Sequence, residues 1–473
     1  MKFYSALIIS CVSLFYGCKN DTNLEADVAY FGGEIINPNN GYVMLYGPND
    51  LKDTLFLDDS NRFYKKLEAL QSGLYTFVHS GEYQMMLLEP QDSVMIRLNT
   101  VDFDESLVFS GKGSKKNNFL INAFLQNEIE QQQYVKLSQM EPNDFEHYLD
   151  SVREEKLKEL EKFSDKKESS GLFQKIAKVS INYHYYVNKE MYPFTYFGHK
   201  NLKDYTNLPD DFYNYRKEID YNMEDLSDFY IYNKFLYSHF NNIALEGYYK
   251  NAPDTASFDR HSLAYNLEKL RLMDSKIQNE NIKNNLLKST VRDFVSLCKD
   301  SIEMETFINE YLAKSTDEKD KNYIKNLVVS INNLKPGKAV PSIELIDYNE
   351  TTFELTKLID KPTVIYFWSS NLKMHYKNSH YKVKSFKSKY PNINFIAINV
   401  NDNDKKYWKK TLDEFKFPTL NEFQFKYPED AKRTLVLNSV GKVIIIDKDL
   451  KIINAESNMF HSEFEEELQK LQP

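Results

Sequence analysis

The sequence predicts a multidomain α+β protein with an N-terminal β-sandwich or barrel, a helical middle region and a C-terminal α/β domain. Three patterns support this prediction. Short runs of alternating apolar and polar residues, separated by turn residues, fill the first quarter of the chain. Apolar residues then recur every three or four positions. Strand-like and helix-like segments finally alternate up to the C-terminus, as expected for a sheet covered by helices.

The chain divides into five predicted segments, of which the same patterns predict the last three and the N-terminal targeting features predict the first two. Lys335-Pro336-Gly337 interrupts the helical periodicity and marks the last boundary. The predicted segments are a signal peptide at 1–17, a lipid-anchored linker at 18–25, a β-rich domain at 26–114, a helical region at 115–335 and an α/β domain at 336–473.

The N-terminus has the features of a targeting segment. Lys2 is followed by an apolar stretch of about fifteen residues, shorter than the ~20 that span a membrane but typical of a secretory signal. Gly17 directly precedes Cys18, and this junction resembles a bacterial lipoprotein signal, which implies acylation of Cys18. The alternative is an ordinary secretory signal with a chance cysteine. We expect an outer-membrane lipoprotein of the cell envelope, either periplasmic or surface-exposed.

Composition excludes several functional classes. The 69 acidic and 60 basic residues give a net charge of -9, which argues against a nucleic-acid-binding protein. The three cysteines, Cys11, Cys18 and Cys298, are too few for a disulfide framework or a four-cysteine zinc site. We predict no cofactor and no metal. After removal of the signal and acylation of Cys18, Cys298 is the single thiol that remains.

The β-rich domain and the helical region follow from local periodicity. Seven strands are predicted in the first, at residues 28–35, 41–47, 53–58, 74–80, 83–90, 93–99 and 106–111. Helical spacing extends from Asn117 to about Asn333. Within it, residues 181–250 are rich in Tyr, Phe and Asn, which indicates either an aromatic core between helices or a surface that binds a sugar or peptide.

The C-terminal segment is predicted to contain a strand at 343–348, a buried strand at 361–368, a helix at about 373–390, a strand at 393–400, a helix at about 404–415, a hairpin over 441–455 and a closing helix. These landmarks resemble a TlpA-like thioredoxin domain: Leu334–Pro341 before the sheet, Thr363–Trp368 as the first central strand, Trp408 in a later helix and Ile446–Ile452 as the hairpin. Phe109–Leu120 and Leu208–Asp220 further resemble long thioredoxin-like lipoproteins of the Bacteroidota.

The chemistry of that family is missing here. Thioredoxins use a Cys-x-x-Cys motif at a helix N-terminus, where the first thiolate attacks and the second cysteine resolves the mixed disulfide. Leu372 and His375 occupy those positions, and Gly441 occupies that of the family's cis-proline, where we expect a trans peptide. Leu450 also replaces the glycine of the hairpin turn. The resemblance therefore implies a redox-inactive domain with a degenerate active-site face formed by Trp368, Leu372, Lys373, Met374, His375 and Gly441.

Three functional hypotheses remain open. The first is a binding or assembly protein that contacts an envelope protein through the degenerate face. The second is an atypical thiol-disulfide oxidoreductase that uses Cys298 or a thiol from a partner, although Cys298 shares a predicted helical face with Phe294, Leu297 and Ile302, which indicates burial. The third is a solute-binding lipoprotein that uses the aromatic middle region. Histidines His375 and His380 are five residues apart, a spacing that favours solvated or capping roles.

Overall fold

The computed structural model describes residues 27–165, 169–198, 202–251, 257–401 and 405–472. These ranges form a multidomain α+β protein with the three predicted parts in the predicted order. The predicted signal peptide and Cys18 lie outside the described residues. Within the described ranges, none of the helices has the length and apolar character that a bilayer crossing requires.

The N-terminal domain is a β-sandwich of two four-stranded sheets, with strand orders β4-β1-β7-β8 and β3-β2-β5-β6. Alternating residues such as Phe31, Val43, Phe77 and Val94 point between the sheets and form a separate core. The sequence-based prediction missed β4, because its lysines interrupt the alternation of apolar and polar residues. The strands are β1 Ala29–Ile36, β2 Tyr42–Gly47, β3 Leu51–Phe56, β4 Arg62–Leu67, β5 Gly73–His79, β6 Glu82–Leu88, β7 Ser93–Asn99 and β8 Val108–Lys112.

The helical region follows directly. Side-chain caps define several helix starts, since Ser170, Ser262, Asn279 and Asp300 each accept a hydrogen bond from a backbone N–H of the first turn. The helices are α1 Ser114–Leu137, α2 Pro142–Ser164, α3 Gly171–Tyr196, α4 Tyr230–Asn251, α5 Leu263–Lys276, α6 Glu280–Leu297, α7 Ser301–Lys314 and α8 Glu318–Asn333.

A buried lysine joins the sandwich to the helices. The Nζ of Lys116, in the first turn of α1, lies 2.6 Å from Glu89 and 2.6 Å from Asp92. Ser170, the cap of α3, donates a hydrogen bond to the same Glu89 carboxylate at 2.9 Å. Two helices are thereby fixed to one corner of the sandwich.

The aromatic middle region is mainly core. Tyr186 and Tyr215 stack with ring centroids 4.1 Å apart, and both are buried. Beside them the fully buried Glu190 contacts His239 Nδ1 at 2.7 Å and accepts hydrogen bonds from Tyr215 and Arg216. Arg216 approaches the carboxylate through two nitrogens, which is the fork geometry that favours Arg–carboxylate pairs.

The C-terminal domain is a seven-stranded sheet of order β10-β9-β13-β12-β11-β14-β15 with helices on both faces. The sequence missed β10, β13 and α11, while the other elements lie close to the predicted positions. The elements are β9 Glu344–Asp347, β10 Thr352–Glu354, β11 Thr363–Trp368, α9 Lys373–Lys389, β12 Asn394–Asn399, α10 Lys405–Phe415, β13 Glu422–Phe425, α11 Pro428–Thr434, β14 Val443–Ile446, β15 Ile452–Ser457 and α12 Phe464–Lys470.

The hairpin turn of this sheet has a left-handed residue that is not glycine. Leu450 adopts a left-handed conformation with φ +62° and so forms the hairpin turn in the conformation that glycine would take.

The sheet also packs against the helical region. On one sheet face, Phe367 and Ile444 belong to the same buried apolar cluster as Leu327 of α8, which packs against α11. The helical region and the sheet therefore share one core.

Candidate functional site

The predicted degenerate face lies where β11 leaves the centre of the sheet. Every residue of β11 is buried, because the strand lies between β12 and β14 and an apolar cluster covers each face of the sheet. Residues 369–372 form a short turn, and α9 begins at Lys373. Leu372 is the N-cap residue and provides no side-chain cap. The resemblance in sequence predicts that a thioredoxin nucleophile would lie at this position, which carries a hydrocarbon side chain.

Three of the predicted face residues are exposed. The side chains of Leu372 and Met374 are 47% and 71% exposed, and Lys373 is exposed between them. Gly441 lies partly exposed before β14. The peptide bonds of the described residues are all trans, which includes the bond before Gly441.

Trp368 corrects the sequence-based expectation, because it is fully buried and adds no contact surface. Its indole Nε1–H donates to Glu422 Oε2 at 3.2 Å. The other carboxylate oxygen of Glu422 lies 2.8 Å from His380 Nε2, and His380 Nδ1 lies 2.7 Å from the Tyr376 carbonyl oxygen. Phe417 stacks on the imidazole with centroids 4.0 Å apart. Trp368, Glu422 and His380 therefore form a buried hydrogen-bond network beneath the start of α9.

His380 is also a correction, since the spacing of the two histidines indicated solvated or capping roles. It is buried inside α9 and satisfied at both ring nitrogens by Glu422 and Tyr376. The sequence carried no signal for this pairing, because Glu422 is 42 positions away in a strand that the apolar pattern did not predict.

His375 differs from His380 in its hydrogen bonding. Both of its ring nitrogens are buried and have no hydrogen-bond partner among the described residues, and its ring meets Phe460 with centroids 5.8 Å apart. Burial, with a smaller contribution from the charge of His380, lowers the pKa of His375 below its usual value. Cys298, the free cysteine of the described residues, lies on another element, at the end of α6.

The unpaired imidazole leads to a stability prediction. Replacing His375 with leucine is expected to raise the free energy of unfolding by about 1 kcal/mol, because a buried polar group without a partner is removed. Urea denaturation of purified protein measures the change. His380→Leu serves as the matched variant on the same helix, and we expect it to lower stability by about 2–3 kcal/mol, since the buried Glu422 loses this partner and keeps the hydrogen bond from Trp368. A loss of stability in His375→Leu would contradict the unpaired state.

The turn before α9 is held by the N-terminal domain. Asn371 Nδ2 donates to the carbonyl oxygen of Ser80, at the tip of the β5–β6 hairpin, over 2.6 Å. Asn401 Oδ1 accepts the backbone N–H of Ser370 at 2.7 Å from the other side. One flank of the degenerate face is therefore occupied within the chain, and Leu372, Lys373 and Met374 form the flank that remains exposed.

Cys298 lies outside this face, at the C-terminal end of α6. The predicted helical face with Leu297 and Ile302 does not form, because Asp300 caps a new helix and leaves those side chains 55% and 77% exposed. The Cys298 Sγ donates to the carbonyl oxygen of Asp300 at 3.2 Å, and partial burial raises the pKa of the thiol. A raised pKa disfavours the thiolate, which is the reactive species in disulfide exchange.

In the described ranges, no group of three or more His, Cys, Asp or Glu side chains is placed to hold a metal ion.

Comparisons with known proteins locate the resemblance in the C-terminal domain. Residues 360–452 match a family model described as thioredoxin-like, and this domain is thioredoxin-like. No curated protein matches the chain. Among solved structures, the chain is similar to the thioredoxin domain of a thiol-disulfide oxidoreductase from Bacteroides vulgatus, with 21% identity over 29% of this chain and 99% of that one and a TM-score of 0.26. It is also similar to a thiol:disulfide interchange protein from Bacteroides sp., with 21% identity over 26% of this chain and 80% of that one and a TM-score of 0.23.

Proposed function

We propose that the protein is an outer-membrane lipoprotein, anchored through Cys18, whose thioredoxin-like domain binds an envelope protein and does not exchange disulfides. The observation that carries this proposal is the pair Leu372 and His375 at the start of α9, where disulfide exchange requires two thiols. Cys298 does not replace them, because it lies on another element with a raised pKa.

The exposed surface indicates what kind of partner fits. We define the α9 face as Leu372, Lys373, Met374, Lys377 and Phe460, all of which are exposed. Phe460 adjoins the helix through its ring contact with His375. Apolar side chains and lysines alternate on this surface, in a chain whose net charge is -9.

Helix α9 adds to this basic character. Its sequence contains six lysines and no aspartate or glutamate. Lys389 pairs with Glu465 of α12 at the far end of the helix, whereas Lys373 and Lys377 extend over the Phe415 ring near its start. Charge complementarity therefore favours a partner segment that carries carboxylates beside apolar residues.

A disulfide-reduction assay tests the loss of redox chemistry. With dithiothreitol as reductant and insulin as substrate, we expect the wild-type protein and Cys298→Ser to stay within about twofold of the uncatalysed rate, because neither has a dithiol. A wild-type rate well above this background that Cys298→Ser abolishes would assign the activity to Cys298 and contradict the proposal.

A cross-linked pull-down from the native envelope tests the binding role. We expect a stoichiometric partner that Leu372→Glu loses at least tenfold, since the new carboxylate repels an acidic segment. A glutamate at a helix N-cap region is compatible with the helix dipole, so the fold is retained. Val329→Glu is the matched control, because Val329 is 58% exposed on α8, away from the α9 face.

The outcomes separate the alternatives. Recovery should also fall as NaCl is raised from about 50 to 300 mM, because exposed ion pairs are screened. Equal recovery by both glutamate variants, or no partner for the wild type, would contradict docking through the α9 face. Flotation of the wild type, but not Leu372→Glu, with anionic vesicles in place of a protein partner would assign the face to the membrane.

A further inference from the structure

The helical region contains a cavity that is separate from the α9 face. It has a volume of about 500 Å³ and lies between α3, α4, α5 and α6. This volume falls within the range of small-molecule sites, roughly 300–1,000 Å³. Much of its wall is aromatic, with Phe194, Tyr237, Phe258, Tyr265 and Phe294. The sequence left open whether residues 181–250 form an aromatic core or a binding surface, and the cavity combines part of that segment with residues beyond it.

A buried lysine faces this cavity. Lys269 of α5 is only 4% exposed and lines the cavity wall. Its Nζ lies 5.0 Å from the centroid of the Tyr265 ring and 6.0 Å from that of Tyr237. Within the described residues it has neither a hydrogen bond nor an ion pair, although a buried ammonium normally requires one. Burial lowers the pKa of Lys269 to about 8, so the amine remains largely charged at neutral pH.

The other charges around the cavity leave a positive excess. Lys234 and Arg260 also line it, and Asp293 is the carboxylate among the described lining residues. Asp293 accepts a hydrogen bond from the Tyr237 hydroxyl, so its charge is partly engaged. Three cations and one carboxylate line the cavity, in a chain whose overall charge is -9, and Lys234 Nζ also donates to Gln131 Oε1 at 3.4 Å. The site is therefore suited to an anion.

We propose that this cavity binds a small organic carboxylate with an apolar or aromatic body, whose acid group pairs with Lys269 Nζ and Arg260 and whose body packs on the aromatic wall. The carboxylate supplies the acceptor that Lys269 lacks. The aromatic side chains exclude water from the apolar part of the ligand. This inference is independent of the α9 face, so the failure of either proposal leaves the other intact.

Calorimetric titration with 4-phenylbutyrate tests the proposal, and its neutral counterpart 4-phenylbutan-1-ol is the ligand control. We expect saturable binding of the acid by the full chain and at least tenfold weaker binding of the alcohol. Lys269→Met keeps the length and apolar packing of the side chain and removes its charge, so it should weaken binding of the acid at least tenfold and leave the alcohol unchanged. Lys276→Met, an exposed lysine in the last turn of α5, is the matched control and should bind like the wild type.

A second measurement covers the case in which Lys269→Met fails to fold. In the wild type, acetylation of Lys269 by acetic anhydride, followed by mass spectrometry, should slow at least fivefold when 4-phenylbutyrate is present, while Lys276 is unaffected. Equal affinity for acid and alcohol, no binding of the acid at 5 mM, or unchanged labelling of Lys269 would each overturn the proposal.

Discussion

Replacing Glu190 with glutamine lowers the free energy of unfolding by about 3–5 kcal/mol, the largest effect we expect from a single substitution in this chain. The carboxylate is fully buried and accepts hydrogen bonds from Tyr215 and Arg216, and it also contacts His239. Burial raises the carboxyl pKa, but the charges of Arg216 and His239 outweigh it and hold the pKa of Glu190 below its usual value. Glutamine removes that charge and leaves the mostly buried Arg216 guanidinium without its counter-ion.

Urea denaturation at pH 7 measures the effect, and the chain contains a matched control. Arg271 and Glu268 form the same forked pair, with distances of 2.7 and 2.6 Å, but the Arg271 side chain is 61% exposed. Glu268→Gln should therefore cost less than about 1 kcal/mol. Similar losses from the two substitutions would show that burial does not determine the contribution of these pairs, and would contradict the argument.

Acidification from pH 7 to pH 4 removes about 3 kcal/mol of stability through His184 alone. Burial, with smaller contributions from Lys234 and Lys156, lowers the pKa of this imidazole to about 3 in the folded protein. In the unfolded chain the pKa of this imidazole is near 6.5. Above pH 6.5 both states are neutral and His184 has no effect. Below it only the unfolded state binds the proton, so stability falls by about 1.4 kcal/mol per pH unit until the folded pKa is reached.

The measurement is the difference between the free energies of unfolding at pH 7 and pH 4. His184→Gln keeps a polar group opposite the Tyr230 hydroxyl, which lies 3.1 Å from His184 Nε2, and should reduce that difference by about 3 kcal/mol. His147→Gln alters an exposed histidine in the same region and should leave the difference within about 0.5 kcal/mol of the wild type. An unchanged acid response in His184→Gln would show that this imidazole does not stay neutral in the fold.

The parts of the fold that the sequence predicted are those in which burial follows periodicity. The run Val364–Trp368 is apolar, and it is buried on both faces together with Thr363 as β11. Strand β13 has equally buried residues but begins with Glu422 and includes Gln424, so the apolar pattern missed it. Those polar groups are satisfied by Trp368, His380 and Asn399, which are distant in sequence.

The candidate sites also divide into one that the sequence predicted and one that it did not. Leu372 and His375 are visible in the sequence, because an absent cysteine can be read at a fixed position. The sequence did not predict the cavity around Lys269. A single lysine among aromatic helical residues gives no periodic signal, and its lack of an acceptor arises only when four helices pack together. The hydrogen bond from Asn371 to Ser80 spans 291 positions and has no local signature either.

The core shared by the helices and the C-terminal sheet has a consequence for how the protein acquires its structure. The sandwich has a core of its own, so it can become native as soon as about the first quarter of the chain has emerged. Leu327 and its neighbours on α8, by contrast, are buried with Phe367 and Ile444, which are made last. The apolar surface of α8 therefore stays uncovered until the C-terminal sheet has formed, which makes this interval the one in which the folding chain is most prone to aggregate.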